Sequence, residues 1–392
     1  MRDDNNKKNT QMDMVLVTII IGIVTFGVLM VYSASNYYAL VTFGDSFDLV
    51  KKQGLYACVG ICVMFFVATR IDYKMFNNFN LALTIYIGAN LLVASLPLIG
   101  HESKGATRWI RIGPLSLQPS EFAKIATILL LSAFIVRYRN KLSHMAFLAC
   151  CGVIIIIPGG LVLLENMSSA IVIMSAGILI MFVSTPQVWY YVAGAGAAVA
   201  GAFYALFLAN TLDPTVETTG LLGIVLPQYR LDRFRVWLDP WIDPRGDGYQ
   251  PIQSLYAIGS GGLFGQGYGS SIQKQGFLPE PHNDIIFSVI CEELGLVGAC
   301  IVLLAYGILI FRGLSIAIRA EDLFGSLVAT GLVGLVAVQV IINVAVNTNT
   351  FPTTGMQLPL VSYGGTALVV LLASLGLLLN ISRSAKIQRA GK

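Results

Sequence analysis

The sequence predicts an all-α integral membrane protein of ten transmembrane helices, with one large extracytoplasmic loop between the seventh and the eighth. Three observations predict it. Of the 392 residues, 56% are hydrophobic and only 12% are charged, against roughly 25% charge in soluble domains. The apolar residues fall in runs of spanning length, about 17 to 25 residues. The basic residues gather at the ends of those runs, more on one side than on the other. No internal repeat or fused soluble domain is visible, so residues 1–392 are expected to form a single membrane domain.

The runs lie at 14–34, 53–69, 79–99, 121–136, 145–164, 168–184 and 187–208 before the loop, and at 285–311, 323–346 and 358–380 after it. The first follows Arg2, Lys7 and Lys8 and ends in Ser33-Ala34-Ser35, which resembles a signal-peptide cleavage site. Its apolar core exceeds the roughly 7 to 15 residues of a signal peptide, so an uncleaved helix is expected. With the N-terminus inside, fourteen basic residues fall on the inner side and six in short outer loops. That excess places both termini in the cytoplasm. Four of the six outer charges, Lys104, Arg108, Arg111 and Lys124, share one stretch. They read equally as a site for an anionic ligand and as a snorkelling interfacial segment.

The outer loop spans 209–284 and begins polar. Trp237 and Trp241 are one turn apart and suit an amphipathic helix at the headgroup level. From Gly246 to Gly276 the loop turns glycine-rich, without GxGxxG and without a preceding strand, so it is no dinucleotide site. Close backbone packing and a mobile loop remain as its readings.

Other classes are set aside by what is missing. The basic residues form no single face or tail, which argues against nucleic acid. All six cysteines lie in apolar runs and read as small buried hydrophobes rather than a disulfide framework. The three histidines, His101, His144 and His282, form no HExxH or Cys/His cluster, and no Walker-type loop is present. Zinc chemistry and direct use of ATP are therefore not expected.

Four places carry chemistry. Asp284, in Leu278-Pro279-Glu280-Pro281-His282-Asn283-Asp284, stands at the lip of the eighth span. Locally it reads as an N-cap; functionally it reads as a general base at the membrane surface. Glu292 and Glu293 lie roughly 12 Å deeper along that helix. Glu292 projects within about 80° of Asp284 and is expected to line the same cavity, with Glu293 on the other side. Gln118-Pro119-Ser120-Glu121-Phe122-Ala123-Lys124 opens the fourth span; Glu121 and Lys124, spaced i,i+3, can pair with each other, and a polar cavity lining is favoured over a simple intrahelical pair. In the ninth span Gln339, Asn343 and Asn347 form a stripe suited to interhelical hydrogen bonds. The segment 352–366 then breaks and restarts helix, as backbone lining a cavity does.

At these residues the chain resembles the SEDS (shape, elongation, division and sporulation) family of peptidoglycan glycosyltransferases, the FtsW/RodA type, with a lean toward the division members. The likeness covers nearly the whole chain. It is carried by Arg108-Trp109-Ile110, Gln118 through Lys124, Gly248-Tyr249-Gln250, Leu278-Pro279-Glu280 through Asp284, Glu292-Glu293-Leu294-Gly295, and Leu358-Pro359 with Ser362-Tyr363-Gly364-Gly365. Two departures stand out. Asn166 occupies a position where the family shows aspartate, and Asn283-Asp284-Ile285 replaces Thr-Asp-Phe.

The resemblance implies a bacterial cytoplasmic-membrane enzyme that polymerises lipid II, with Asp284 as the family's essential loop aspartate. Gln118, Ser120, Glu121, Lys124, Arg108, Arg111, Glu292, His282, Arg230, Arg233, Ser362 and Tyr363 are the supporting candidates, with Arg235 among the basic residues that meet leaving-group charge. The implied partners are a class B penicillin-binding protein and other divisome or elongasome membrane proteins. A divalent cation, Mg or Mn, is compatible with the chemistry, although no metal motif demands one. A lipid II flippase is the alternative reading, because intramembrane charges in ten helices also describe a carrier.

Overall fold

The computed structural model describes residues 12–103, 106–112, 115–142, 144–163, 166–185, 187–211 and 228–385. Eight helices among them are long and apolar enough to cross a membrane: α1 (Met14–Phe43), α2 (Asp48–Arg70), α4 (Pro119–Arg137), α5 (Met145–Leu163), α6 (Met167–Ser184), α10 (Ile286–Arg319), α11 (Leu323–Asn347) and α12 (Gly365–Ser384). The run expected at 79–99 splits into the 16-residue α3 (Phe79–Ala94) and a single turn, Leu96–Ile99. The run at 187–208 falls on α7 (Trp189–Thr211). Arg2, Lys7, Lys8, Lys104, Lys386, Arg389 and Lys392 lie outside the described residues.

The most enclosed spans are α4, α11 and α12, and the others pack around them: α2 on α12, α3 on α4, α6 and α10 on α11. The membrane-facing surfaces of α2 and α10 stay apolar and exposed, because acyl chains rather than water would meet them. This corrects the expectation for the cysteines. Cys151 and Cys291 are buried, but Cys58, Cys62, Cys150 and Cys300 are exposed on helix surfaces. In lipid an exposed thiol is solvated as well as a buried one, so the burial rule of water-soluble proteins does not bind them.

The all-α class holds with one addition. Residues β1 (His101–Ser103), β2 (Ala106–Ile112) and β3 (Leu115–Leu117) form a small antiparallel sheet in the order β1-β2-β3. Arg111 pairs across it with Ser116. The sheet delivers the chain straight into α4, where Pro119 stands in the first turn and loses no intrahelical bond there. Thr366 Oγ1 donates to the Ser116 carbonyl (2.6 Å), fixing the sheet to the first turn of α12.

Between α7 and α10 the described loop holds α8 (Gln228–Leu238) and α9 (Tyr249–Ser260). The expected tryptophan helix is cut short. Helix α8 stops at Leu238 and Pro240 starts a separate turn, so Trp237 and Trp241 do not share a helix. Trp237 Nε1 donates to the Asn349 carbonyl (3.0 Å), whereas Trp241 is exposed.

The glycine-rich segment resolves as close backbone packing. Helix α10 breaks at Gly295 (φ 68, ψ −171), and the chain around Gly265 (φ 78) lies in the break. A Cβ on Gly265 would stand 2.2 Å from the Glu293 carbonyl oxygen, so a side chain does not fit. The freed groups are paired. Gln266 N–H donates to Glu292 O (2.9 Å), Gly267 N–H to Glu293 O (3.0 Å), and Leu296 and Val297 N–H to Gly262 O and Leu263 O (2.9 and 3.0 Å). Irregular backbone at membrane depth is tolerated because protein satisfies it.

Candidate active site

Helices α4, α6, α10 and α12 all begin at the same end of the bundle, and the gaps before them leave one cavity of about 390 Å³. That volume lies in the range of roughly 300–1,000 Å³ that ligand sites occupy. At three of these starts the capping residue itself, Gln118, Ile285 or Gly364, makes no side-chain cap hydrogen bond. Their positive dipole ends favour an anion at this end.

Asp284 lines the cavity. The local reading of it as an N-cap does not hold: α10 starts at Ile286, and its capping position is Ile285. The opposite wall is the segment after α11, where Gly355 takes φ +71 and brings backbone close to the carboxylate. A Cβ added there would lie 3.7 Å from Asp284 Oδ2.

Facing them are Glu121 and Lys124 in the first turns of α4, joined Nζ to Oε1 at 2.6 Å, with Lys124 only 2% exposed. They pair, as the i,i+3 spacing allows, and both line the cavity together with Gln118 and with Arg108 from β2. Ser362 lines it too, and its hydroxyl accepts the Leu358 N–H (2.8 Å), shaping the turn before α12.

The remaining candidates are placed elsewhere. Glu292 does not line the cavity. Its buried carboxylate accepts from Ser271 Oγ (2.5 Å), Ile272 N (2.9 Å) and Gln273 N (3.3 Å). The 80° projection from Asp284 assumed a continuous helix, but Asp284 precedes α10, and the glycine-rich segment covers the face where Glu292 emerges. Glu293 is walled in as well, paired with Lys274 Nζ (2.7 Å) and accepting from Ser33 Oγ (2.6 Å). Ser33, in the apparent cleavage motif, is thus a polar anchor inside α1.

Arg230 and Arg233 stand at the edge rather than in the cavity. Arg230 Nη2 donates to the Leu163 carbonyl at the end of α5 (2.6 Å), and Arg233 Nη1 to Thr353 O (3.3 Å). Arg235 pairs with Asp232 (2.7 Å). A guanidinium has five N–H donors that neutral backbone carbonyls can also accept, and α8 lies against those chain ends. Ser120 is buried within the first turn of α4 and does not line the cavity. His282 and Tyr363 brace each other outside the lining, their rings 5.7 Å apart and Tyr363 N donating to His282 O (2.9 Å). Burial pushes the Tyr363 phenol up to about 12, so it stays protonated and is no base at neutral pH. The side chain of Arg111 lies outside the described residues.

Sequence reasoning missed Trp109, Gln250, Glu280 and Gln339, which also line the cavity. Trp109, Gln250 and Glu280 stood inside the motifs already marked. Asn166 lines it as well and caps α6, accepting the Ser169 N–H (3.2 Å), a bond that asparagine makes as well as aspartate. Among the described residues no group of three or more His, Cys, Asp or Glu side chains converges to hold a metal.

A multi-pass helical bundle with a charged cavity at one end, built where helices restart, defines a membrane protein with a polar site. The chain belongs to the cell cycle protein family FTSW_RODA_SPOVE, whose model matches residues 13–387. It is 38% identical over 385 residues to Stage V sporulation protein E of Bacillus subtilis, covering 97% of this chain and 99% of that one. It is 36% identical to the probable peptidoglycan glycosyltransferase FtsW of Geobacter metallireducens, with 97% of each chain covered. Among solved structures it is similar to a chain of a peptidoglycan synthase complex that coordinates polymerization and crosslinking (TM-score 0.74, 29% identity, 95% and 98% covered). It is similar also to the rod shape determining protein RodA of Thermus thermophilus (TM-score 0.67, 26% identity, 96% and 98% covered).

Proposed function

We propose that this chain is a peptidoglycan glycosyltransferase that polymerises lipid II, and that Asp284 is its general base. The observation that carries the reading is the placement of Asp284 in a cavity shared with the Glu121–Lys124 pair and Arg108. The Asp284 carboxylate takes the proton of the acceptor sugar's 4-hydroxyl as that oxygen attacks the anomeric carbon of the donor. The bond from that carbon to the donor's pyrophosphate oxygen breaks, and the lipid pyrophosphate departs with the bonding pair. One displacement inverts the α-linked donor to a β-1,4 product, which a single base suffices to promote.

Charge developing on the leaving group is met by Arg108, Lys124 and the positive dipole ends of the helix starts. The three carboxylates of the lining do not form a metal cluster, and no step here is assigned to a cation. The enzyme works in the bacterial cytoplasmic membrane with both termini inside, beside a class B penicillin-binding protein that crosslinks the product and other division or elongation membrane proteins. Identity of 36–38% to FtsW and sporulation relatives, against 26% to RodA, supports the division or sporulation branch. Septal position of a fluorescent fusion is the expected result, and side-wall position would move it to elongation.

The test is purified protein given lipid II in detergent, where no membrane sidedness remains for a carrier to act on. Glycan strands are expected from the wild type. Asp284→Asn is expected to lose polymerisation by about 10²–10⁴-fold while keeping its melting temperature. Normal strand synthesis by that variant removes Asp284 from the role.

A further inference from the structure

The cap that local sequence assigns to Asp284 is supplied from another helix. Asn347, at the end of α11 and 2% exposed, accepts at Oδ1 from Ser288 N–H (3.2 Å) and Ser288 Oγ (2.7 Å) in the first turn of α10. Its Nδ2 donates to the carbonyl oxygen of Asp284 (3.0 Å) and to Asn343 O (2.8 Å). Asn343, one turn earlier and fully buried, donates from Nδ2 to the same Asp284 carbonyl (2.8 Å) and to Met356 O (2.6 Å). Ser254 of α9 closes the group, its hydroxyl donating to Asn347 O (2.8 Å) and standing 2.6 Å from Ser288 Oγ.

A helix start leaves its first N–H groups without intrahelical partners, and an aspartate two residues earlier is a ready acceptor for them. Were Asp284 to cap α10 itself, its carboxylate would turn back over the helix. With Asn347 accepting at Ser288, that demand on the carboxylate is gone. The carbonyl of Asp284 is held by two amides at once, and Asn343 also holds Met356, next to the Gly355 backbone that faces the carboxylate. Both sides of the carboxylate are thereby fixed from α11.

We propose that Asn347, working with Asn343, is a positioning residue for the glycosyl transfer: it caps α10 in trans and so keeps the Asp284 carboxylate directed into the cavity. This rests on Asp284 being the base. It predicts an effect on turnover rather than on substrate binding, because Asn347 itself does not border the cavity.

The experiment measures kcat, KM and the pH profile of lipid II polymerisation for wild type, Asn347→Ala and Asn347→Ser. Leu332→Ala, a buried truncation of the same helix, serves as the stability control. For Asn347→Ala, kcat is expected to fall about 10- to 100-fold with KM within about twofold, the scale of a small misplacement of a reacting group. The acid limb of its kcat profile is expected to move, because the carboxylate's surroundings change. Asn347→Ser keeps an acceptor near Ser288 but loses the donor to Asp284, and an intermediate kcat is expected; it also reads the split if the alanine variant fails to accumulate. Leu332→Ala is expected to melt earlier with kcat per folded molecule and acid limb unchanged. Wild-type kcat and acid limb in both Asn347 variants would overturn the proposal, leaving the cap purely structural. Asp284→Asn measured in parallel separates the two ideas: if it polymerises, the base assignment itself fails, and if it is inactive while the Asn347 variants turn over normally, only the positioning fails.

Discussion

Two lysine–glutamate pairs sit inside this bundle with nearly the same bond length and opposite surroundings. Lys124–Glu121 spans 2.6 Å within one helix turn, and Lys274–Glu293 spans 2.7 Å between the glycine-rich loop and α10. Each lysine is 2% exposed, but Glu121 keeps 14% exposure where Glu293 keeps none. The first pair borders the cavity, and an arriving anion can share its ammonium. The second is sealed, with Ser33 of α1 bonded to both partners (2.6 and 2.9 Å). Charge type and pairing do not separate a site from a scaffold; what else touches the pair does.

Substitutions that leave one charge behind test this contrast most strongly. Lys274→Met strands a buried Glu293 carboxylate, and a loss of about 3–5 kcal/mol of stability is expected, read as a lower melting temperature in detergent. Activity per folded molecule should survive, and the double substitution Lys274→Met with Glu293→Met should recover most of the stability, because an apolar pair of similar volume replaces the ion pair. Lys124→Met is expected to do the reverse: a fall of about 10²–10³-fold in kcat/KM for lipid II, with a smaller change in melting temperature, as for loss of one preorganised donor. If Lys124→Met proved no less active than Lys274→Met per folded molecule, the division between site and scaffold would collapse.

Smaller effects sharpen the picture. Glu292→Gln still accepts at one oxygen but loses charge toward three donors, and a cost of about 1–3 kcal/mol is expected in thermal unfolding with turnover unchanged. Tyr363→Phe should leave the pH profile of polymerisation where it is. The phenol, held up to about 12 by burial, is neutral below that pH and has no proton to lose across the working range.

Legibility in the sequence followed the range of the interaction. The spans at 121–136 and 323–346 were readable because twenty apolar residues have one stable conformation in lipid, and the helices found there agree closely. The Glu121–Lys124 pair was readable because i,i+3 geometry is set within the helix itself. Glu292 was misplaced for the complementary reason. Its direction was extrapolated through Asp284 as if one helix continued, whereas α10 begins later and breaks at Gly295. Arg230 and Arg233 carried no mark that distinguishes a phosphate ligand from a carbonyl clamp, since a guanidinium serves both. Asn347, read as one member of a polar stripe, gave no sign of which backbone it would cap.

By itself the sequence determined that this chain lives in a membrane, that the segment 352–366 interrupts helix, and which acid stands at the lip of the eighth span. Those are properties of local composition and spacing, fixed by the cost of exposing backbone and charge to hydrocarbon. Only the tertiary structure decided which polar groups share one opening. Arg108, Glu121, Asp284 and Gln339 meet because β2, the starts of α4 and α10 and the inner face of α11 pack around one opening, and Glu292 and Glu293 are withdrawn from it because a distant loop lies in the gap at Gly295.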